Sequence, residues 1–138
     1  MEQWVIDTNV VLDLLVFLDP RSWALNVQLR SGQACWIATP AMREELQRVL
    51  CYTNIASRLR QLQLTSESVL AQFDAWVQLR PDAPPAATQC SDPDDQKFVD
   101  LAVTHQAALF SRDKALLQLR SRLARQGVRV VSVQTLGE

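Results

Sequence analysis

Histidine is nearly missing from this chain: His105 is the single one in 138 residues. Cysteine is scarce and odd in number, and Cys35, Cys51 and Cys90 make neither a CxxC pair nor a disulfide framework. A zinc centre built on nitrogen and sulfur is therefore not expected, and the three thiols read as reduced groups of a cytoplasmic protein. No apolar run reaches membrane-spanning length, and the opening MEQWVID lacks a basic segment followed by a long apolar one, so neither a membrane span nor an export signal is expected. Charge of one sign is missing too. The net charge of -1 excludes a global pull on polyanions, so contact with nucleic acid has to come from a local patch. There is no internal repeat and no low-complexity tract.

The chain does have apolar content, 48% of 138 residues, enough for one substantial core but not two. A single domain over 1–138 is expected. Short β-type runs occur at Trp4-Val5-Ile6, Cys35-Trp36-Ile37, Ala108-Leu109-Phe110 and Val128 to Val133. Helical patterns separate them: Asn9 to about Phe17, Ser22 to Arg30, a helix opened by Thr39-Pro40, and two more between Asn54 and Arg80. In the last of these, Val69, Leu70, Phe73, Trp76 and Val77 fall at amphipathic spacing. Pro81-Asp82-Ala83-Pro84-Pro85 then predicts an extended linker. Strands alternating with helices imply crossovers and a parallel sheet covered on both faces. Ligands in such a sheet bind beyond the carboxyl ends of the strands.

Asp7 and Asp113 follow the first and third strand candidates almost directly, so both are expected on that rim. Two more acids are selected by helix geometry. At ~100° per residue, the stripe of Met42, Leu46, Val49, Leu50 and Thr53 is centred about 85° from Glu45 and about 175° from Glu44. In the later helix the same step puts Asp95 about 40° from the apolar centre and Asp100 about 180° from it, with Asp94 on an intermediate flank. Asp100 and Glu44 are expected to face water. Several carboxylates in one pocket repel one another unless a cation neutralises them. Hard oxygen donors without His or Cys favour Mg²⁺ or Mn²⁺, and such a cluster suits metal-assisted phosphodiester hydrolysis.

Each acid also has a plain structural role open to it. Asp7 and Asp113 stand where helices begin and can cap them. Asp92-Pro93-Asp94-Asp95 reads as a cap, a first-turn proline and acids favoured by the helix dipole. Capping alone does not require all four to lean inward. His105 lies on the Phe98 side of its helix and is expected to pack rather than catalyse, leaving water activation to metal and carboxylate. Trp4, Trp23, Trp36 and Trp76 are expected in the core or at a dimer contact. Arg112, Arg120, Arg122 and Arg125, with Lys114 and Arg129, form the one local basic stretch able to follow phosphates. The uncovered stripe between Asn54 and Arg80, with Phe73 and Trp76, points to a two-fold homodimer.

VIDTNVVLD (Val5 to Asp13), TPAMREELQRVL (Thr39 to Leu50), DPDDQKFVDLA (Asp92 to Ala102) and LFSRDKALL (Leu109 to Leu117) together resemble the PIN-domain nucleases, and within them the bacterial toxins of toxin–antitoxin systems. The resemblance spans essentially the whole chain. It implies a three-layer α/β/α sandwich with a mainly parallel sheet, and a Mg²⁺- or Mn²⁺-dependent endoribonuclease silenced by a small antitoxin. It also makes Asp7, Glu45, Asp95 and Asp113 the metal-binding and catalytic acids. Asn9 would help to hold Asp7, and Ser111 matches the polar residue before the last acid. Two other readings fit less well: a DxD phosphatase needs a second aspartate where Asn9 stands, and a receiver domain needs a mid-chain phosphoacceptor and a late lysine on the sheet rim, where this chain offers Asp113 after a late strand. The alternative that remains is a catalytically silent PIN domain that binds RNA or protein.

Overall fold

The computed structural model describes residues 1–133. Its centre is a five-stranded, all-parallel sheet of β1 (Glu2–Ile6), β2 (Ala34–Ala38), β3 (Val77–Leu79), β4 (Ala108–Ser111) and β5 (Val130–Ser132), ordered β3-β2-β1-β4-β5. Helices cover both faces, giving a three-layer α/β/α sandwich. They are α1 (Thr8–Leu12), α2 (Trp23–Arg30), α3 (Pro40–Leu50), α4 (Thr53–Gln61), α5 (Ser66–Trp76), α6 (Gln96–His105), α7 (Lys114–Leu117) and α8 (Arg120–Ala124). None of the described helices is long and apolar enough to cross a membrane.

A sheet covered on both faces needs nearly unbroken apolar strands. All four residues of β4 are buried, as are Trp4, Val5 and Ile6 of β1. Trp4 packs its ring 4.3 Å from that of Phe110. The strand order reverses between β1 and β4, where Ile6 stands in register with Phe110 and the Asp7 amide donates to the Phe110 carbonyl at 3.1 Å. Adjacent strands whose connections leave in opposite directions open a crevice beyond their carboxyl ends. Asp7 and Ser111 sit at that point.

β3 differs from the sequence expectation, which continued the helix through Val77 to Arg80. The helix stops at Trp76, and Val77 pairs with Trp36. Three residues are too few to show a period of two, and at the sheet edge Gln78 and Leu79 are exposed, so neither alternation nor a buried run marks the strand. The stripe on α5 is also covered within the chain itself. Val69, Leu70 and Phe73 are buried, and Phe73 meets Trp36 edge-on at 5.3 Å. The stripe from which a homodimer was expected is therefore covered at Val69, Leu70 and Phe73 and half-buried at Trp76 and Val77. Exposed apolar side chains lie at Leu18, Trp23, Val27 and Tyr52, and within the 54–80 segment at Leu62 and Leu79.

α1 passes directly into a wider π-helical turn over Asp13–Phe17, closed by Leu18 in the left-handed region at φ 50°. The segment after β3 has no regular structure until the 3₁₀ turn Pro93–Asp95 before α6, and it is pinned by side chains of that helix. Asp100 Oδ1 accepts from the Ala86 amide at 2.9 Å and from Gln96 Nε2 at 2.8 Å, while Gln96 Oε1 accepts from the Cys90 amide at 2.6 Å. Asp100 thus corrects a second expectation: it is half-buried beneath the linker, not turned to open water. Helical angles located its side of α6 but carried no information about a loop that folds over that side.

Candidate active site

Asp7 ends β1 and caps α1. Its Oδ1 accepts from the Val10 amide at 2.9 Å and its Oδ2 from the Ser111 hydroxyl, and only 3% of the residue is exposed. Burial pushes its carboxyl up to about 6, against the lowering effect of the Ser111 and Val10 hydrogen bonds; Asp113 adds to the rise and Arg112 opposes it. Ser111 Oγ in turn accepts from the Asp113 amide at 2.9 Å, so one buried hydroxyl ties the ends of β1 and β4 together. Asp113 caps α7 by accepting from the Ala115 amide at 2.8 Å. The capping roles open to Asp7 and Asp113 are both occupied, and both residues still face the crevice.

Thr39 and Pro40 start α3 by the expected cap, with Thr39 Oγ1 accepting from the Met42 amide at 3.3 Å. One turn on, Glu45 is brought to the crevice and Glu44 to solvent. Glu45 Oε2 accepts from the Thr8 hydroxyl and Oε1 from the Lys97 ammonium at 2.7 Å. Asp95 closes the short 3₁₀ turn Pro93–Asp95 that leads into α6. Its Oδ2 is buried with no hydrogen-bond partner among the described residues. Burial first, then the neighbouring Asp113, Asp92, Asp7 and Glu45, push this carboxyl up to about 7.

The four acids thus come together from four different places in the sequence. With Thr8, Asn9, Val49 and Phe98 they line one cleft of about 150 Å³. The donors fit a hard divalent cation in kind: all are oxygens, one is orphaned, and two of the carboxyl groups are pushed up, first by burial and then by neighbouring acids. Among the described residues, no three Asp, Glu, His or Cys side chains already stand in metal-holding positions. Asp94 and Asp92 are exposed. Asp92 Oδ1 accepts from the Asp94 amide at 3.0 Å, and Asp94 lends its carbonyl to Lys97.

Other predicted residues fall differently. Asn9 is exposed at the cleft wall, and Asp7 is held instead by Ser111 and Val10. Arg112 does not reach outward: its Nε and Nη2 are bound to the two oxygens of Asp13 at 2.9 and 3.2 Å. Arg120, Arg122 and Arg125 are exposed on and just after α8, outside the cleft wall, with Arg120 Nε on the Val130 carbonyl at 3.2 Å. His105, half-buried, is not part of the cleft wall either.

Three residues escaped sequence reasoning: Thr8, Lys97 and Asp13. Asp13 carried a readable signal, a lone acid inside the apolar run from Val10 to Phe17, since a charge buried among such neighbours needs a partner. Lys97 carried none, because a lysine on a helix is ordinarily solvated.

Residues 3–115 match the family described as PIN domain. Among solved structures, VapBC2 from Rickettsia felis, bound to a DNA fragment from its promoter, is similar in fold, with a TM-score of 0.63 at 12% identity over 94% of this chain and 98% of that one. No curated protein sequence matches the chain. The matched span contains Asp7, Glu45, Asp95 and Asp113, and the strand-end crevice lies within it; the chain belongs to the PIN-domain family.

Proposed function

We propose that this protein is a Mg²⁺- or Mn²⁺-dependent endoribonuclease, one domain over 1–138, acting in the cytoplasm as the toxin of a toxin–antitoxin pair. The observation that carries the reading is the convergence of Asp7, Glu45, Asp95 and Asp113 on one cleft at the β1/β4 reversal, with two of their carboxyl groups raised by burial and mutual repulsion. Family membership supports nuclease chemistry. The likeness to VapBC2 supports a small antitoxin as partner. A homodimer remains part of the proposal through the family resemblance rather than through α5.

A divalent cation held by these acids would lower the pKa of a water and offset charge growing on the phosphate. The chain's own residues do the rest. Ser111 and the Val10 amide each bind one oxygen of Asp7 and so fix its carboxyl group. Asp95 Oδ2, buried and unpartnered, would be an oxygen donor to that cation. Phe98 and Val49 supply an apolar wall that limits bulk water.

The test is RNA cleavage in Mn²⁺ and Mg²⁺ by wild type, Asp7→Asn, Asp95→Asn and Glu44→Gln. Glu44 is exposed on α3 beside Glu45 and is a cleaner control than Asp100, which anchors the linker. Loss of cleavage by orders of magnitude in the two aspartate variants, with Glu44→Gln near wild type, is expected. Equal cleavage by Asp7→Asn and Glu44→Gln would leave the silent, RNA- or protein-binding PIN domain as the better reading.

A further inference from the structure

Lys97 is ion-paired with one of the four acids, Glu45. Its Nζ donates to Glu45 Oε1 at 2.7 Å and to the Asp94 carbonyl, and stands 5.0 Å from the Phe98 ring centroid. Glu45 and Phe98 are both cleft residues. The side chains of Lys97 and Glu45 are only 23% and 14% exposed, so solvent weakens their attraction less than at an open surface. The other oxygen of Glu45 is taken by Thr8, whose backbone directly follows Asp7. Each oxygen of Glu45 thereby has a partner, while Asp95 keeps a bare oxygen and Asp7 is held by neutral donors.

We infer that Lys97 is a resident substitute cation: it neutralises Glu45 in the metal-free protein and is displaced from it when a divalent cation enters. The inference rests on the proposed metal-dependent reading. In this arrangement metal affinity is a difference, the gain from binding the acids less the cost of parting Lys97 from Glu45. Lys97 is a positioning residue, acting through Glu45. It offsets the charge of Glu45 when metal is scarce and raises the cation concentration at which the site fills. Removing the ammonium while keeping the aliphatic stem then tightens metal binding, and does so only while Glu45 is present to be released.

The experiment is Mn²⁺ binding by calorimetry on the full chain for wild type, Lys97→Met, Lys97→Arg, Glu45→Gln and the Lys97→Met/Glu45→Gln double variant, with thermal melts confirming that each is folded. Mn²⁺ should bind Lys97→Met about fivefold tighter than wild type, Lys97→Arg near wild type, and the gain should vanish in the Glu45→Gln background. In parallel, the Lys97 side-chain ammonium resonance should lose its protection as Mg²⁺ is added to wild type. Unchanged or weaker Mn²⁺ binding by Lys97→Met, or an equal gain without Glu45, overturns the inference while the metal-dependent reading stands. An ammonium resonance indifferent to saturating Mg²⁺ does the same, and it decides the matter if Glu45→Gln binds too weakly to measure. Absence of Mn²⁺ binding in wild type overturns both.

Discussion

Arg112 holds both carboxylate oxygens of Asp13, a residue 99 positions earlier whose side chain is 2% exposed. The pair joins the π-helical turn after α1 to the short link between Ser111 and Asp113. Removing one partner of a buried pair leaves an uncompensated charge, so Arg112→Met should cost roughly 3–5 kcal/mol in urea denaturation. A double change, Asp13→Leu with Arg112→Met, should recover most of that loss, because an apolar pair needs no desolvation. Equal destabilisation by the single and double variants would mean that the salt bridge is not the source.

The raised carboxyls make the metal-free protein pH-sensitive in a defined direction. Asp7 titrates at about 6 and Asp95 at about 7 when folded, both above the 3.8 of an ordinary aspartate. The folded state therefore holds these protons more tightly than the unfolded one. The resulting stabilisation is full below about pH 4 and is lost as pH rises through 6 and 7, the Asp7 share being on the order of 3 kcal/mol. In EDTA, stability should fall between pH 5 and pH 8, and Asp7→Asn should flatten that fall. A stability that climbs over the same range in wild type would contradict the assignment.

Ser111 should matter more than Asn9. Its hydroxyl lowers the Asp7 carboxyl, so Ser111→Ala leaves Asp7 holding its proton to higher pH. Cation affinity at pH 6.5 should drop about tenfold and recover partly by pH 8.5, as measured by Mn²⁺ titration. Asn9→Ala, at the exposed wall, should change it far less.

The exposed arginines of α8 have a separate test. Replacing Arg120, Arg122 and Arg125 with Ala should weaken binding of unrelated RNAs by a similar factor and flatten the salt dependence. An unchanged salt slope would make them an ordinary solvated face.

Legibility in the sequence followed how local each cause was. Asp7, Asp113 and the Thr39 cap were readable because a helix start is written in consecutive residues. Glu45 and Asp95 were readable because helical angle separates them from Glu44 and Asp100. What was lost depended on partners distant in sequence. β3 exists because Val77 meets Trp36, and Asp100 is covered because Ala86 folds back on it. Arg112 looked like a phosphate contact until Asp13 stood beside it, and Phe73 looked uncovered until Trp36 did. Patterning within a segment identifies which face is apolar, but not which neighbour arrives to cover it.

The reversal of strand order at β1 also bears on timing. Asp7 leaves the ribosome before its neighbour in the sheet, β4, and the Ser111 hydroxyl that holds it comes 104 residues later. A growing chain that ends before Ala108 carries β1 with its β4 side unpaired, and it has neither Ser111 nor Asp113. The four-acid cleft is therefore withheld from the nascent chain. A ribosome making this protein faces no assembled site until β4, Ser111 and Asp113 have emerged and the sheet can close.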